Sequence, residues 1–523
     1  MKIVSSHQMR DLEESSDKLG IPKDLLMENA GFSVANAVSK HVGPLTGLKI
    51  VALVGSGNNG SDCLIAGGHL SRWGASVTAI ILRRRASPDI KLQEAINRGL
   101  LVVDLDDRKE NFPSVESLIT DAHVILDGIL GIGTDLPIRD PLKTFLSDLQ
   151  SSNLEKANVF AIDVPSGVSS DTSKVSPYSI RPDVTFALGF LKPCHVFQPA
   201  SEFCGEIEVL NIGLPNELKN EKKVSLLSTG DIASTLPERN VTGHKGTFGK
   251  GMILGGSDKY IGAPILAASA ALKAGLGLIS IAAYDLLVNT MASMLTEATF
   301  LRLKEEPSKA NSSMTMARQI YGELDSYNVL LVGCGLGTST ISRKIFENLL
   351  LSDLKLPQLV LDADGLNILS KVPNWCDRLP ANSVLTPHPK EMSRLSRLSV
   401  EEIQSDRVNV AKKFAHDWGM TLVLKGANTV IADPNGFATI SPFANPILSS
   451  AGTGDVLAGL ITGFLGQSCS PMQSACLGVH IHSEAAKTIS ARIGSSGLLA
   501  GDLIDELPYT IKNLRDQSQI GSA

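Results

Sequence analysis

Apolar segments of strand length recur along the chain, and each is followed by glycine or aspartate and then by a segment typical of a helix. "LKIVALVG" at 48–55 precedes "GSDCLIAGGHLSRWG" and then "SVTAIIL", and "NVLLVGCGLG" at 328–337 repeats the strand pattern. Strands that are apolar throughout are typical of sheets buried on both faces, and parallel strands need a crossover between them. The alternation predicts an α/β fold with mostly parallel sheets, whose functional groups lie at the carboxyl ends of the strands.

A polar and charged segment, "LPNELKNEKK" at 214–223, interrupts this alternation, which starts again with a glycine-rich loop at 244. At 523 residues the chain is also longer than one hydrophobic core usually supports. We therefore expect two different α/β domains, one spanning residues 1–220 and the other residues 226–523.

The composition excludes several classes of protein. A net charge of −6 leaves no basic footprint for nucleic acid. The seven cysteines include no CxxC pair, which argues against a disulfide framework and for a reducing compartment. No apolar segment reaches membrane-spanning length, and the first residues lack the apolar core of a secretory signal. We expect a cytoplasmic protein that binds neither nucleic acid nor membrane.

The segment "SSAGTGDVLAGL" at 449–460 places Asp455 at the start of a helix that is apolar nearly all round. Gly452 and Gly454 allow an anion to approach the unpaired amides at that helix start. A carboxylate beside a bound phosphate is unfavourable unless it takes a proton from the group that attacks the phosphate. The alternative is that Asp455 only caps the helix, since aspartate is a preferred cap residue.

Other polar groups follow strands of the same half. His388 lies between prolines in "TPHPKE", Lys425 begins "KGANTVI", and "GCGLG" offers bare amides at 333–337. Together they predict a site for a nucleotide phosphate and a small polar acceptor. Lys425 could instead be a surface lysine at a strand end, and His388 a buried turn histidine. In "HIHSE" at 480–484 the two histidines point apart on a helix, which favours packing over a metal site.

Seven segments in order resemble the ADP/ATP-dependent NAD(P)H-hydrate dehydratases, a family similar to the ribokinase-fold kinases. They are "HKGTFGKGMILGGS", "GAPILAASAALKAGLG", "VGCGLG", "DADGLN", "LTPHPKEMSRL", "LKGANTVIA" and "SSAGTGDVLAGLITGFL", and they span nearly all of residues 230–510. The resemblance implies a ribokinase-like α/β domain that phosphorylates the C6 hydroxyl of hydrated nicotinamide, after which phosphate leaves. Asp455 would be the base.

The same resemblance implies the binding residues. The hydrate would contact Ala263, Gly337, His388 and Asp455. The adenine nucleotide, ADP or ATP with Mg²⁺, would contact Lys425, Gly426, Ala427, Asn428, Thr429 and Gly454.

In the first half, "GSGNNGSDC" at 55–63 stands where a dinucleotide-binding fingerprint would stand, but its pattern differs. Its two asparagines and one aspartate add side-chain oxygens, and Asp127 and Ser166 add more at neighbouring strand ends. Such groups suit a hard cation as well as a ligand rich in hydroxyl groups. No cluster of thiolates or imidazoles accompanies them, so zinc is not expected.

These segments, with "LMENAG", "DGILGIG", "AIDVPSGV" and "LGFLKP", resemble the NAD(P)H-hydrate epimerase domain of YjeF N-terminal type, across roughly residues 1–220. The resemblance implies a Rossmann-like domain with K⁺ near Asn59, Asp127 and Ser166. Asp163 is the candidate acid/base, because it ends a buried strand before a tight turn. Implied hydrate contacts are Asn58, Asn59, Gly60, Ser61, Asp62, Gly131, Ile132, Gly133, Thr134, Asp135, Leu136, Pro137 and Asp163.

The chain departs from this family at two positions, because Ser61 and Cys63 stand where the usual run has glycine. Serine restricts φ, and the cysteine could crowd the ligand or point into the helix core. These departures leave open how tightly the first site fits its ligand.

The resemblances together predict a bifunctional enzyme that epimerises and dehydrates hydrated NADH and NADPH (NADHX and NADPHX), with ADP or ATP as cosubstrate, and that forms a homo-oligomer. The alternative is a ribokinase-like kinase of a vitamin precursor or sugar, fused to a non-catalytic binding or scaffold module. The scaffold interpretation requires loss of the polar strand-end residues. Those residues are all present, namely Asn58, Asn59, Asp62, Asp127 and Asp163.

Overall fold

The computed structural model describes residues 1–83, 85, 87–105, 114–134, 136–152, 156–220, 223–304, 312–351, 354–381 and 383–520. The chain divides into two compact units, Met1–Val224 and Ser225–Ala523. Both are α/β units, as the alternation of strand-like and helix-like segments predicts. Among the described residues, none of the helices combines the length and the apolarity needed to cross a bilayer.

The first unit alternates strands and helices, with short 3₁₀ turns at Pro193–His195 and Ala200–Phe203. Its elements are α1 (Ser6–Lys18), α2 (Lys23–Val42), β1 (Lys49–Val54), α3 (Asn58–Arg72), β2 (Ser76–Ile81), α4 (Ile90–Asn97), β3 (Leu101–Asp104), α5 (Val115–Thr120), β4 (Val124–Gly128), α6 (Leu142–Ser151), β5 (Asn158–Ile162), β6 (Val184–Leu188), β7 (Glu206–Leu210) and α7 (Asn216–Asn220).

The described strands of this unit form one sheet in the order β3-β2-β1-β4-β5-β6-β7, and every neighbouring pair is parallel. Strands β1, β4 and β5 occupy the centre and are almost fully buried, which explains their continuous apolar sequences. Because these strands are parallel, the residues that follow them meet at one edge of the sheet. That edge carries the polar segments beginning at Gly55, Asp127 and Asp163.

The second unit has a larger sheet, and its first strand, β8, spans the division between the units. Its elements are β8 (Val224–Leu226), α8 (Thr229–Ala233), β9 (Lys250–Leu254), α9 (Gly262–Lys273), β10 (Leu278–Tyr284), α10 (Asp285–Met294), β11 (Thr299–Leu303), α11 (Ser312–Leu324), β12 (Val329–Val332), α12 (Thr340–Leu350), β13 (Gln358–Leu361), α13 (Ala363–Leu369), β14 (Val384–Leu385), α14 (Pro389–Ser396), α15 (Val400–Ser405), α16 (Arg407–Trp418), β15 (Thr421–Leu424), β16 (Val430–Ala432), β17 (Ala438–Ile440), α17 (Thr453–Gly466), α18 (Pro471–Ile493) and α19 (Ala500–Ile520).

The second sheet has the order β11-β10-β9-β12-β13-β14-β15-β16-β17-β8 among the described residues. Neighbouring strands are parallel from β11 to β15, but β16 runs antiparallel to both of its neighbours, β15 and β17. The sequence pattern alone did not predict this reversal. It follows from the five-residue connection 425–429, which closes a hairpin and is too short for a parallel crossover.

Helices α9 and α17 pack closely in the core of the second unit because small residues line their contact. A Cβ atom added to Gly459 of α17 would lie 2.1 Å from the carbonyl oxygen of Ala267 in α9. One turn later, an added Cβ at Gly463 would lie 2.7 Å from the Cβ of Ala274. This contact fixes α17 against the sheet and so fixes the loop at its amino end.

We expect Gly459→Ala to destabilise the second unit by about 1–3 kcal/mol, because the added methyl group forces the two helices apart. Urea unfolding followed by circular dichroism measures the change. Gly322→Ala is the matched control, since Gly322 lies exposed in α11 with no atom within 4 Å of an added Cβ. This control is expected to be neutral or stabilising. Equal unfolding midpoints for wild type and Gly459→Ala would contradict the close packing.

Candidate active sites

A cavity of about 650 Å³ opens at the carboxyl edge of the first sheet. It is bounded by α1, the start of α3, the loop after β4 and the residue that follows β5. Of the predicted hydrate contacts, Gly60 and Ser61 lie beside the cavity lining rather than in it, and Asp135 lies outside the described residues. The lining includes Asn58, Asn59, Asp62, Gly131, Ile132, Gly133, Thr134, Leu136, Pro137 and Asp163.

The segment 58–62 forms the first turn of α3, and the residue that precedes it, Gly57, makes no side-chain cap. A Cβ atom on Gly60 would lie 2.1 Å from the Gly55 carbonyl oxygen, so only glycine permits this approach of turn and strand. The hydroxyl of Ser61 accepts a hydrogen bond from Arg85 at 2.8 Å. The start of α3 is therefore held against the end of β1, at the edge of the cavity.

Cys63 points away from the cavity. It is fully buried, and a Cβ atom added to Gly128 would lie 2.3 Å from the Cys63 Cβ. Burial also raises the pKa of the thiol well above its usual range. Neither departure from the usual glycine run therefore narrows the cavity, because Ser61 turns to Arg85 and Cys63 fills the space beside Gly128.

Asp127 is fully buried at the end of β4. Its carboxylate accepts hydrogen bonds from the Ser166 amide at 2.7 Å, the Ser166 hydroxyl at 2.6 Å and the Ile129 amide at 3.3 Å. Asn59 joins the group by donating to the Leu130 carbonyl oxygen at 2.8 Å. Burial raises the pKa of Asp127 to about 6 despite these donors. Among the described residues no lysine or arginine pairs with this carboxylate.

Asp163 follows β5 with a left-handed backbone, at φ 62°, which is unusual for a residue other than glycine. Its carboxylate accepts hydrogen bonds from Lys192, which is completely buried, and from the Leu188 amide at 2.9 Å. His195 donates from Nε2 to the Asp163 carbonyl oxygen at 2.8 Å. Burial and the nearby Lys192 lower the pKa of His195 to about 4, so this imidazole is neutral.

Three functional residues of the first site were not predicted. Lys192 and His195 lie in and just after "LGFLKP", where a lysine directly after a strand end is the available signal. Glu13 reaches the cavity from α1, and nothing in its sequence context marks it.

In the second unit, Asp455 is the third residue of α17, and the capping position belongs to Gly452 at φ 88°. No side chain caps this helix, so Asp455 is not a helix cap. His482 of α18 hydrogen bonds from Nε2 to the Thr453 carbonyl oxygen at 2.9 Å. Burial lowers the pKa of His482 to about 4, and the neutral ring packs beneath the loop, in agreement with the packing interpretation of "HIHSE".

The carboxylates of Asp455 and Asp362 and the thiol of Cys334 lie within 4.8 Å of one another. Among the described residues they form the one group of acidic, thiol and imidazole side chains spaced closely enough for a metal ion to bridge them. Burial and the neighbouring Asp362 raise the pKa of Asp455 to about 6. A carboxylate with such a pKa is mostly ionised at neutral pH yet a stronger base than an exposed aspartate.

Lys425 joins this group from the end of β15. Its ammonium donates to Asp362 at 2.5 Å and lies 4.0 Å from Glu391. Burial disfavours its charge, but the two carboxylates outweigh burial and raise the pKa of Lys425. An added Cβ at Gly454 would lie 3.7 Å from the ammonium. With 17% of its side chain exposed, Lys425 is therefore a mostly buried charge near the α17 loop and not a surface lysine.

His388 caps α14, and 45% of its side chain is exposed, so it is not a buried turn histidine. Its Nδ1 accepts from the Lys390 amide at 3.1 Å, while its own amide donates to Glu391 at 2.8 Å. Burial of about half the ring and the charge of Lys425 lower the pKa of His388. Burial also raises the pKa of Glu391 to about 7.

The remaining predicted contacts lie in tight loops at the same edge. Gly337 donates its amide to Asp364 at 2.9 Å, and an added Cβ at Gly335 would lie 3.0 Å from the Cβ of Ala263. The hairpin loop 425–429 turns at Gly426, with φ 141°, and at Asn428, with φ 52°.

Arg407 of α16 holds this hairpin loop by donating to the Leu424 carbonyl oxygen at 2.8 Å. Within the loop, the Thr429 hydroxyl donates to the Gly426 carbonyl oxygen at 3.0 Å, and Ala427 is exposed. The predicted nucleotide contacts at 425–429 thus lie on a loop whose base is held by Arg407 and whose tip is exposed to solvent.

Sequence reasoning missed four supporting residues of the second site: Asp362, Cys334, Glu391 and Arg407. The first three stand inside the quoted segments "DADGLN", "VGCGLG" and "LTPHPKEMSRL", where their position after a strand was an available signal. Arg407 lies in a helix, and only the packing of α16 against β15 and β16 brings it to the loop.

Comparison with known proteins matches each unit to a protein family. The NAD(P)H-hydrate dehydratase family matches residues 251–509, and the YjeF-related protein N-terminus family matches residues 23–194. The dehydratase match covers most of the second unit, whose observed α/β topology agrees with the predicted fold class. One similar solved structure, the ADP/ATP-dependent NAD(P)H-hydrate dehydratase of Bacillus subtilis co-crystallised with ATP/Mg²⁺, is 30% identical. It has a TM-score of 0.48 and covers 56% of this chain and 99% of its own.

Full-length relatives have both units. The bifunctional NAD(P)H-hydrate repair enzyme of Moorella thermoacetica is 33% identical over 99% of this chain and 98% of its own length. The enzyme of the same name from Escherichia coli is 31% identical over 95% of this chain and 91% of its own length. With both families matched in order and relatives aligned from end to end, the chain belongs to the family of bifunctional NAD(P)H-hydrate repair enzymes.

Proposed function

We propose that the first unit interconverts the R and S epimers of NADHX and NADPHX, and that the second dehydrates the S epimer with ADP or ATP. The observation that carries the proposal is the position of Asp455. This partly buried carboxylate lies at the uncapped amino end of α17, near the ammonium of Lys425. A site with a base, a cation and free helix amides can deprotonate a hydroxyl while it transfers a phosphoryl group.

In the second site, Asp455 accepts the proton of the C6 hydroxyl as that oxygen attacks the terminal phosphorus of the nucleotide. The bond from this phosphorus to the leaving nucleotide breaks, which converts ADP to AMP or ATP to ADP. Phosphate then leaves C6, a proton leaves C5, and the double bond of the reduced nicotinamide returns. The amides at the start of α17 and the charge of Lys425 stabilise the phosphoryl oxygens.

The nucleotide is expected to bring Mg²⁺. Oxygen ligands fit this ion, and the carboxylates of Asp362 and Glu391 are the candidates that flank Lys425. Bound there with the phosphates, Mg²⁺ would offset the negative charge of the nucleotide. Lys425 to Thr429 and Gly454 would contact the nucleotide, and Ala263, Gly337 and His388 the hydrate.

In the first site, Asp163 is the proposed acid/base. Lys192 pairs with its carboxylate, and Asp163 lines the cavity. His195 fixes the peptide of Asp163 through its carbonyl oxygen. The predicted contacts in residues 58–62 and 131–137 would surround the hydrated ring.

We also propose K⁺ at Asp127, Asn59 and Ser166. The donor set fits, because a fully buried carboxylate lies beside carbonyl and hydroxyl oxygens with no lysine or arginine partner among the described residues. An uncompensated buried charge is costly, and a single carboxylate among neutral oxygens suits a monovalent ion better than Mg²⁺. The ion would neutralise Asp127 and stiffen the loop that follows β4.

The free thiols of all seven cysteines support the proposal of a reducing, cytoplasmic compartment. We further propose a homo-oligomer, and analytical ultracentrifugation of the purified chain would test that point. The residue ranges 1–220 and 226–523 remain our proposed limits for the two activities.

One assay tests the proposed function. A mixture of R and S hydrates is incubated with enzyme and ADP or ATP, and the absorbance of reduced nicotinamide is followed. Full recovery from both epimers is expected, whereas recovery of half would indicate dehydration without epimerisation. The alternative, a kinase fused to a scaffold module, is not favoured by the family matches, and a stable phosphorylated product would be its signature.

Asp455→Asn is expected to lower the rate of dehydration about 10²–10⁴-fold, the usual worth of a positioned base. The fold and nucleotide binding should persist, because asparagine is isosteric and no cap is lost. Stopped-flow absorbance on pure S hydrate measures the rate, and isothermal titration measures nucleotide binding. Near-normal turnover by this variant would reject the role of Asp455.

The pH dependence of dehydration should follow the same group. Because Asp455 acts as a carboxylate and its pKa is raised to about 6, kcat/KM should fall as the pH falls through about 6 and level off above it. Glu391, whose pKa is raised to about 7, could add a second inflection. Glu391→Gln should remove that second inflection while the one near pH 6 remains. A kcat/KM that stayed constant between about pH 5 and 7 would contradict the assignment.

Asp127→Ala is expected to weaken hydrate binding and epimerisation together while leaving dehydration of the pure S hydrate unchanged. Loss of the carboxylate removes the acceptor for three hydrogen bonds and the proposed anchor for K⁺. Epimerisation measured in potassium and in tetramethylammonium buffers tests the ion directly. Equal rates in the two buffers would contradict the cation, although Asp163 could remain the acid/base.

A further inference from the structure

Helix α1 lies outside residues 23–194, the range that matches the YjeF-related family, yet it forms part of the first site. The segment before α1 pairs with the segment that leads from β6 to Lys192. There the Val4 amide donates to the Leu191 carbonyl oxygen at 2.9 Å. The Ser6 amide and hydroxyl both donate to Asp171, at 2.7 and 2.5 Å. The helix is therefore fixed in place beside the cavity.

One face of α1 is apolar and the adjoining face is charged. Met9 and Leu12 are each 2% exposed and pack into the core of the unit. Arg10 and Glu13, one turn apart, line the cavity that Asp163 also lines. Arg10 reaches the loop after β4, since an added Cβ on Gly133 would lie 2.9 Å from its guanidinium. Glu13 is thus a carboxyl group supplied from a different element than Asp163.

The two carboxyl groups have opposite surroundings. Asp163 receives hydrogen bonds from the Lys192 ammonium and the Leu188 amide, which stabilise its carboxylate. Burial and the negative charge of Asp163 raise the pKa of Glu13, against the smaller influence of Lys23, Lys192 and Arg10. One cavity is therefore lined by a carboxyl group that is paired with a buried lysine and by a second one, Glu13, whose pKa is raised. Pairs of this kind mark acid and base partners in catalysis.

Inversion at C6 by loss and return of the oxygen calls for such a pair. In this route the hydroxyl leaves one face of the ring and water enters on the other, so one group donates a proton to the leaving oxygen and another accepts a proton from the entering one. A single carboxylate on one wall cannot serve both faces without a large movement.

We propose that Glu13 and Asp163 are the two proton-transfer groups of the first site and act on opposite faces of the hydrated nicotinamide ring. This inference rests on the proposed epimerase function. Glu13 gives its proton to the C6 hydroxyl, the C–O bond breaks, and water leaves as the N1 lone pair forms the N1=C6 double bond. Water then adds to C6 on the face of Asp163, the electron pair returns to N1, and Asp163 takes the proton. The reverse inversion exchanges the two roles.

Glu13→Gln tests the proposal in the full-length chain. We expect kcat for epimerisation to fall about 10²-fold or more, with KM for the hydrate little changed. Glutamine keeps the shape of the side chain but has no carboxylic acid proton to give to the leaving hydroxyl. Glu13→Asp should restore part of the rate. Asp11→Asn is the matched control, since Asp11 is exposed on the same helix and pairs only with His7 among the described residues. Dehydration of pure S hydrate reports folding of the second unit in every variant.

Three outcomes would overturn the proposal. The first is unchanged kcat in Glu13→Gln, and the second is inversion in ¹⁸O-labelled water without one labelled oxygen gained per inversion. The third is a structural role for Glu13. It would be shown if Glu13→Gln lowered kcat, raised KM and lowered the unfolding midpoint, and if Glu13→Asp recovered none of the rate. Absence of epimerisation in the wild type would instead refute the proposed function, and this inference would fall with it.

Discussion

Each active site depends on one buried lysine that pairs with an aspartate at the end of a strand. Lys192 pairs with Asp163 in the first unit, and Lys425 pairs with Asp362 in the second. Moving such charges out of water costs several kcal/mol per ion, which the pair recovers only when its geometry is good and its other donors and acceptors are occupied. The Leu188 amide and carbonyl oxygen do this for the first pair, and the Thr386 hydroxyl does it for the second.

The pairs also set the electrostatics around them. In the first cavity Lys192 pairs with Asp163, while burial and the nearby Asp163 raise the pKa values of Glu13 and Asp62. In the second site Asp362 raises the pKa of Asp455, so the proposed base is tuned by a residue that need not touch the substrate. Both sites therefore obtain carboxyl groups of unequal proton affinity from one buried pair and the burial around it.

Much of the fold could be predicted because parallel sheets have a distinctive pattern. The continuous apolar strands, the helices between them and the polar residues at their ends are all local features. These features predict Asp163, Asp127 and Lys425 at strand ends and Asp455 at a helix start. The hairpin of β15 and β16 was missed because its strands are as apolar as the parallel ones, and only the length of the connection distinguishes them. The role of α1 was missed because a charged face on a helix is ordinarily a solvated face.

The sequence by itself determined the class of each unit, its family and the residues that end its strands, because these depend on periodicity and on motifs of contiguous residues. Only the tertiary structure decided which side chains face one another. It placed Lys192 against Asp163, and Asp362 and Cys334 beside Asp455. It also placed the carboxyl group of Glu13, from α1, in the lining of the first cavity. It also turned Cys63 into the core and Ser61 toward Arg85. The physical reason is that burial, charge pairing and protonation depend on distances between residues far apart in the chain, and no local pattern encodes those distances.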